Sequence, residues 1–334
     1  MMQPGLVPTA ADLAAAYAVT RTATQRTPLL DCDALARATG AARALVKAES
    51  LQSTGSFKIR GAYWRLWCLP PEDRARGVAA FSSGNFAQGL AAAGRSLGVP
   101  VTIVMPADAP ALKREATEGY GAQVILSHHG DRPREEVAAA LAREIAAREG
   151  LVLLHPFDDP LIVAGQAGAG LEMLEQLHDL GLAADIVACP VGGGGLLGGL
   201  ALALHYASPA TAILAVEPEG YNGMGLSLSA GEMRRVPGAT PTISDALQAT
   251  APGTAPLAAA RKAGVRGVAV ADGPVAHAMR FAFERLKLVL EPSGAVALAA
   301  VLDGQIAVRG KTVVIVATGG NVALGRFTAL VGSE

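Results

Sequence analysis

Short apolar runs alternate with longer helical stretches along most of this chain, and no other feature limits its possible folds as tightly. Val78-Ala79-Ala80-Phe81, Val101-Thr102-Ile103-Val104, Gln123-Val124-Ile125-Leu126 and Leu151-Val152-Leu153-Leu154 have the length and content of buried strands. Residues 86–97, 109–120 and 134–148, which separate them, read as helices. Strands joined by helices of that length pair as parallel neighbours, each helix crossing back over a sheet face. The pattern then resumes, with helices over 166–180 and 196–206 and strands over 185–189 and 212–216. A polar, proline-bearing connection follows, then helices over 275–288 and 292–302 and a last strand at 312–316. Ahead of all this stand a helix over 10–23, an extended stretch at 26–30 and a strand at 44–48. The expectation is an α/β chain with two open, twisted, parallel-rich sheets and flanking helices. Its large unit comes from 1–76 and 156–334, its small unit from 77–155. Ligands of such sheets sit beyond the C-terminal strand ends, so the loops after strands are where chemistry belongs.

Composition excludes several partners. Of the 334 residues 51% are hydrophobic and only 4% aromatic, so the core must be aliphatic. The 28 basic and 29 acidic residues balance, which gives no pull toward nucleic acid or an anionic membrane. Cys32, Cys68 and Cys189 fit neither a disulfide framework nor a zinc spacing and read as core residues in a reducing compartment. The N-terminus lacks the basic start and apolar run of a signal peptide, so a cytoplasmic location is expected. Residues 186–216 carry no Asp, Glu, Lys or Arg, yet Pro190, Pro209 and the glycines would break a membrane helix there. The six histidines show no ligand spacing, and no metal-binding residue is assigned.

Four loops after strands are chemically loaded, those beginning at Ser82, at Gly192, at Glu217-Pro218-Glu219-Gly220 and at Thr318, and the segment before Lys58 joins them. Ser53-Thr54-Gly55-Ser56-Phe57 leads into Lys58 at a helix start, where Ser53 or Thr54 could cap. Burial and the positive helix end both lower an amine's pKa and make it nucleophilic toward carbonyls, although a solvated lysine is the commoner occupant of a first turn. Ser82-Ser83-Gly84-Asn85-Phe86 offers hydroxyls and bare backbone at a helix N-terminus, a seat for a carboxylate or simply a serine cap. Gly192-Gly193-Gly194-Gly195 lets several N–H groups converge on one anion, usually phosphate, or else serves close helix packing. Thr318-Gly319-Gly320-Asn321 follows the last strand, where a hydroxyl can approach a flat ligand edge.

Two readings of these glycines compete. Gly193, Gly195 and Gly198 spell G-x-G-x-x-G between strand and helix, with Glu217 placed to hold a ribose hydroxyl, as in a nicotinamide oxidoreductase. That reading leaves the other loops unused. A cofactor with one phosphate, one aldehyde and one aromatic ring uses them all: phosphate to the tetraglycine, aldehyde to Lys58, ring edge to Thr318, and a substrate carboxylate to the serine loop. Pyridoxal 5'-phosphate has those parts.

Thr54-Gly55-Ser56-Phe57-Lys58, Ser82-Ser83-Gly84-Asn85, the tetraglycine, Glu291-Pro292-Ser293-Gly294-Ala295 and Thr318-Gly319-Gly320-Asn321 resemble, over nearly the whole chain, the signatures of pyridoxal phosphate enzymes of the tryptophan synthase β-like fold, fold type II. Within that fold the set is similar to the serine/threonine dehydratase and serine racemase family. The resemblance implies Lys58 as the Schiff-base lysine, Phe57 near the ring, Asn85 on the ring hydroxyl, Gly192, Gly193, Gly194 and Gly195 on the phosphate, Glu291 in the cofactor site and Thr318 at the pyridine nitrogen. It also implies Ser82, Ser83, Gly84, Asn85 and Phe86 as the substrate loop, with Ser83 a second catalytic residue where racemisation occurs. The implied reaction is elimination from a β-hydroxy amino acid such as L-threonine or L-serine, giving a 2-keto acid and ammonia. Serine racemisation and 3-hydroxyaspartate dehydration are the alternatives, and a homodimer is implied.

Three departures stand out. Phe86 occupies a position where the family commonly has histidine. Some relatives hold a divalent cation through a glutamate like Glu217 and an aspartate six residues on, where this chain has Gly223. The chain ends at 334 without room for a C-terminal regulatory domain, so control by an end product is not expected.

Overall fold

The last strand shows why an unbroken apolar run folds here as a doubly covered sheet. Val313, Ile315 and Ala317 pack into one hydrophobic cluster while Val314 and Val316 pack into another, so successive side chains serve opposite faces. The structure is a computed structural model and describes residues 6–130, 132 and 134–332. The N-terminal residues 1–5, part of the stretch read above for a signal peptide, lie outside the described residues.

In chain order the elements are α1 Ala10–Thr20, β1 Leu29–Asp31, α2 Asp33–Thr39, β2 Arg43–Ala48, α3 Lys58–Trp67, α4 Pro71–Arg76, β3 Val78–Phe81 and α5 Asn85–Leu97. Then come β4 Val101–Pro106, α6 Ala111–Gly119, β5 Gln123–Ser127, α7 Arg134–Glu149, β6 Val152–Leu154, α8 Pro160–Asp179, β7 Ile186–Pro190 and α9 Gly195–Ala207. The chain continues through β8 Ala212–Pro218, α10 Gly223–Ala230, α11 Thr254–Lys262, β9 Arg266–Val270, α12 Asp272–Phe281, α13 Pro292–Leu302, β10 Thr312–Ala317 and α14 Leu324–Val331. The large sheet has the order β1-β2-β10-β7-β8-β9 and is parallel except for β1, which runs antiparallel to β2. The small sheet, β5-β4-β3-β6, is parallel throughout. Both sheets and their flanking helices match the expected α/β architecture.

Several elements differ from expectation. α8 begins at Pro160, six residues before position 166, because Asp159 caps it through the Leu161 amide at 2.8 Å and Pro160 suits the first turn. The polar connection before α12 holds α10, α11 and the edge strand β9, none of them anticipated. β9 is half-exposed, so its sequence lacks a continuous apolar run. Trp64 is buried whereas Trp67 is 42% exposed, stacked with Tyr63 and covered by Arg74.

A buried ionic cluster fixes the start of α3. Arg60 gives Nε to Glu49 Oε2 at 2.8 Å and reaches both Glu172 oxygens at 2.8 Å. Lys47 Nζ meets Glu172 Oε2 at 3.0 Å, the Thr27 carbonyl at 2.7 Å and Gln176 Oε1 at 3.1 Å. All four charged side chains are at most 1% exposed, and two positive charges match two negative ones. Strand β2, helices α3 and α8 and the segment from Gln25 to Thr27 are thereby joined two residues beyond Lys58.

Candidate active site

Sheet order brings the loaded loops together. β2, β10 and β7 are adjacent and parallel, so the segment leading to Lys58, the Thr318 loop and the tetraglycine leave the same edge of the large sheet. The Lys58 segment then pairs directly with the Thr318 loop. Phe57 N donates to Thr318 O at 3.3 Å, Gly320 N to Gly55 O at 2.9 Å, and Ser56 bridges Gly319. Gly55 has a φ of +70°, and a Cβ there would overlap the Asn321 side chain, so this turn requires glycine. Neither Ser53 nor Thr54 caps α3, contrary to expectation. Phe57 holds the N-cap position in a helical conformation, Ser53 Oγ bonds Gln52 Oε1 and Thr54 Oγ1 bonds the Ser56 carbonyl. The backbone of 55–57 is engaged by the Thr318 loop instead.

Lys58 is half-buried, and its Nζ lies 5.1 Å from the centre of the Phe57 ring and 6.0 Å from that of Phe86. Burial lowers its pKa to about 8, with Glu291 acting in the opposite sense. No hydrogen bond or ion pair from this ammonium to the described residues is present.

The serine loop comes from the small sheet. Ser82, Ser83 and Gly84 are half-buried beyond β3, and Asn85 and Phe86 open α5 as buried residues. The N-cap residue of α5 is Gly84, which has no side chain to cap with, and Ser82 Oγ accepts from Gly84 N at 3.2 Å. α5 presses against the first turn of α3, where a Cβ on Gly89 would stand 2.8 Å from Ile59 N. Asn85 Nδ2 donates to Glu291 Oε1, while Asn85 Oδ1 accepts from Asn321 Nδ2 at 2.8 Å. Glu291 precedes α13, is 2% exposed, and has its pKa raised by burial against the opposing influence of Lys113 and Asn85.

The tetraglycine lies between β7 and α9, with Gly194 at a φ of 96°. A Cβ on Gly193 would overlap the Phe157 ring, and one on Gly194 would stand 2.6 Å from Met224 Cε. Phe157 thus lies over the loop. His155 in turn packs edge-on against it at 4.6 Å and accepts the Asp158 amide at 2.9 Å through Nδ1. Burial lowers the pKa of His155. Phe157 and Lys113 were not singled out from the sequence. The buried position of Lys113 leaves no mark on its helix, though its scarcity, one of six lysines, was a usable signal.

The oxidoreductase reading fails at Glu217. Both its oxygens accept backbone amides at 2.8 Å, from Met224 and Gly225, so it caps α10 and faces no ribose site. Burial pushes its pKa up to about 8, with the two amides acting the other way. Gly223 offers no side-chain ligand, so the Glu217 position lacks the second carboxylate of such a cation site. Among the described residues no group of three or more His, Cys, Asp or Glu could hold a metal. Addition of a chelator is therefore expected to leave the melting temperature unchanged. A fall that added magnesium or calcium restores would contradict this.

The remaining groups fit the phosphate-and-aldehyde cofactor. Ser56 Oγ and Glu291 Oε2 are buried polar atoms without a hydrogen-bond partner, and Thr318 is only 4% exposed. Ser56 and Glu291 both meet the Thr318 loop at Gly319, and the glycine loop leaves the same edge of the sheet, an arrangement that suits a flat polar ligand with one anionic end.

Comparison with known proteins agrees. A family described as "Pyridoxal-phosphate dependent enzyme" matches residues 20–319. The L-threonine ammonia-lyase of Thermotoga maritima is 41% identical over 93% of this chain and 75% of its own length. The L-threo-3-hydroxyaspartate ammonia-lyase of Saccharomyces cerevisiae is 38% identical over 98% of each chain. The structure of maize serine racemase superposes with a TM-score of 0.88 at 33% identity, covering 96% of each chain. The protein is a member of the pyridoxal-phosphate dependent enzyme family.

Proposed function

We propose that this chain catalyses loss of the β-hydroxyl as water from a β-hydroxy amino acid such as L-threonine or L-serine, after which water hydrolyses the product to a 2-keto acid and ammonia. The observation that carries the reading is the Lys58 amine, depressed to about 8 and set between the Phe57 and Phe86 rings, where the serine loop meets the Lys58 segment. Pyridoxal phosphate, when bound, supplies an electron-withdrawing ring that acidifies the substrate Cα–H. Lys58 would hold its aldehyde end, Gly192 to Gly195 its phosphate, Asn85 its ring hydroxyl within reach of Glu291, and Thr318 its ring nitrogen.

Lys58 Nζ, uncharged above about pH 8, is the base that takes the Cα proton. The Ser82–Asn85 backbone and hydroxyls orient the substrate carboxylate, and Phe86 keeps that side of the amine dry. Thr318 would offer the cofactor ring a neutral hydroxyl and not a carboxylate, which would suit prompt loss of the β-hydroxyl. Ser83 matches the serine to which the resemblance to racemases assigns a second proton transfer, so the serine racemase and 3-hydroxyaspartate ammonia-lyase relatives supply the second reading. Residues 77–155 would form the small domain that closes over the substrate, with 1–76 and 156–334 as the larger one. A cytoplasmic homodimer completes the proposal. The dimer is supported by exposed Leu51, Phe283, Val289 and Leu324 on segments adjoining Gly320 and Phe327.

The test is a panel of L-threonine, L-serine and L-threo-3-hydroxyaspartate, with 2-keto acid, ammonia and D-enantiomer measured together. Equal keto acid and ammonia from at least one substrate is expected, and a Ser83→Ala variant should lose only D-enantiomer. D-enantiomer without keto acid would make the chain a racemase. Neither product would end the proposal.

A further inference from the structure

Of the chain's six lysines, Lys47 is held in the ionic cluster and Lys58 opens the site, while Lys113 has no role so far. It stands on α6, beside the small sheet, and is 5% exposed. Its Nζ reaches across the cleft to Asp245 Oδ2 at 3.2 Å and Glu291 Oε2 at 3.6 Å. It also passes 3.5 Å from where a Cβ on Gly84 would stand, directly against the serine loop. Both acids belong to the part built on the large sheet. They are tied to one another, because Ala246 N donates to Ser293 Oγ at 2.9 Å, joining the Asp245 turn to the first turn of α13. Burial alone would discharge this ammonium, but Glu291 and Asp245 outweigh it and keep it charged.

Glu291 divides its two oxygens. Oε1 accepts from Asn85, and Oε2, buried and without a hydrogen bond, faces Lys113. A carboxylate so enclosed without a countercharge takes up a proton or turns away. Asn85 would then keep only Asn321 to fix its amide. We infer that Lys113 is a positioning residue of this active site, which ties α6 to Asp245 and Glu291 and, through Glu291, holds the Asn85 side chain in the orientation the cofactor ring requires. The inference rests on the function proposed above and deepens it.

The experiment compares wild-type holoenzyme with Lys113→Met, Lys113→Arg and Asp245→Asn, all reconstituted with pyridoxal phosphate. Borohydride trapping at Lys58, the visible absorption band, kcat and KM are recorded for each. In Lys113→Met, trapping persists, the band shifts or loses height, and kcat falls on the order of a hundredfold, as slight misplacement of a reacting group costs, with KM changing less. Lys113→Arg restores part of both readouts, and Asp245→Asn moves both in the same direction by less. Trapping retained with an unmoved band and wild-type kcat in Lys113→Met overturns the role of Lys113 alone. Where Lys113→Met does not fold, an unmoved band and kcat in Asp245→Asn, at a partly exposed residue, overturn it equally. Wild-type protein that traps no cofactor overturns the underlying function and this inference with it.

Discussion

Lys58→Ala is expected to lose turnover by at least about a thousandfold and to take up no cofactor colour, while its melting temperature changes little. The loss follows from the two tasks assigned to one amine, since general-base catalysis alone contributes ~10²–10⁴-fold and covalent capture of the aldehyde needs the same atom. The fold is spared because the Lys58 ammonium supports no hydrogen bond or ion pair among the described residues. Its burial disfavours the charged form, so removing it relieves a cost. Keto acid release, visible absorption and thermal unfolding of the variant check the three parts. Retained colour and turnover would reject the assignment.

Arg60→Met is expected to have the largest effect on stability. The guanidinium is fully buried and is the main partner of Glu49 and a shared partner of Glu172. Removing one member of such a cluster leaves carboxylates enclosed without a countercharge, which costs about 3–5 kcal/mol. For a chain of this size that corresponds to a fall in melting temperature on the order of 5 °C. Arg148→Met, at exposed pairs with Glu149 at 2.8 Å and Glu144 at 4.0 Å, should leave the melting temperature where it is. The cluster also gives a pH signature. Burial acts to raise the pKa of Glu49, but the Arg60 charge and its hydrogen bonds outweigh it and leave the group below its ordinary 4.5. A depressed carboxylate stabilises the fold fully above its unfolded value and loses that contribution as pH falls through the folded one. The difference in melting temperature between wild type and Arg60→Met should therefore shrink on acidification. An undiminished gap at low pH would show that packing, not charge, holds this region.

Most strands of the two sheets were legible because their runs are largely apolar, as in β10 and β4. Two elements of partial burial were not. β9 exposes Arg266 and Gly267 at the edge of the large sheet, and α4 buries no residue at all. The site was legible as loops but not as a network. Lys58, the tetraglycine and Thr318 are marked by local chemistry at strand ends, and sheet order alone brings their loops to one edge. Lys113 and Phe157 act across the cleft, at sequence separations of 132 from Asp245 and 36 from Gly193, where no local pattern can announce them. Glu217 shows the converse. Its spacing after Gly198 suited a ribose contact, and only the placement of α10 reveals that two backbone amides already occupy it.

The most direct measurement is reduction of purified, pyridoxal phosphate-loaded protein with borohydride, followed by peptide mapping. The yellow colour should disappear and a single pyridoxyl group should be found, on the peptide carrying Lys58. A label on Lys47, Lys113 or another lysine, or no label on protein that instead binds NADH, would contradict the assignment of Lys58 as the residue that holds the cofactor.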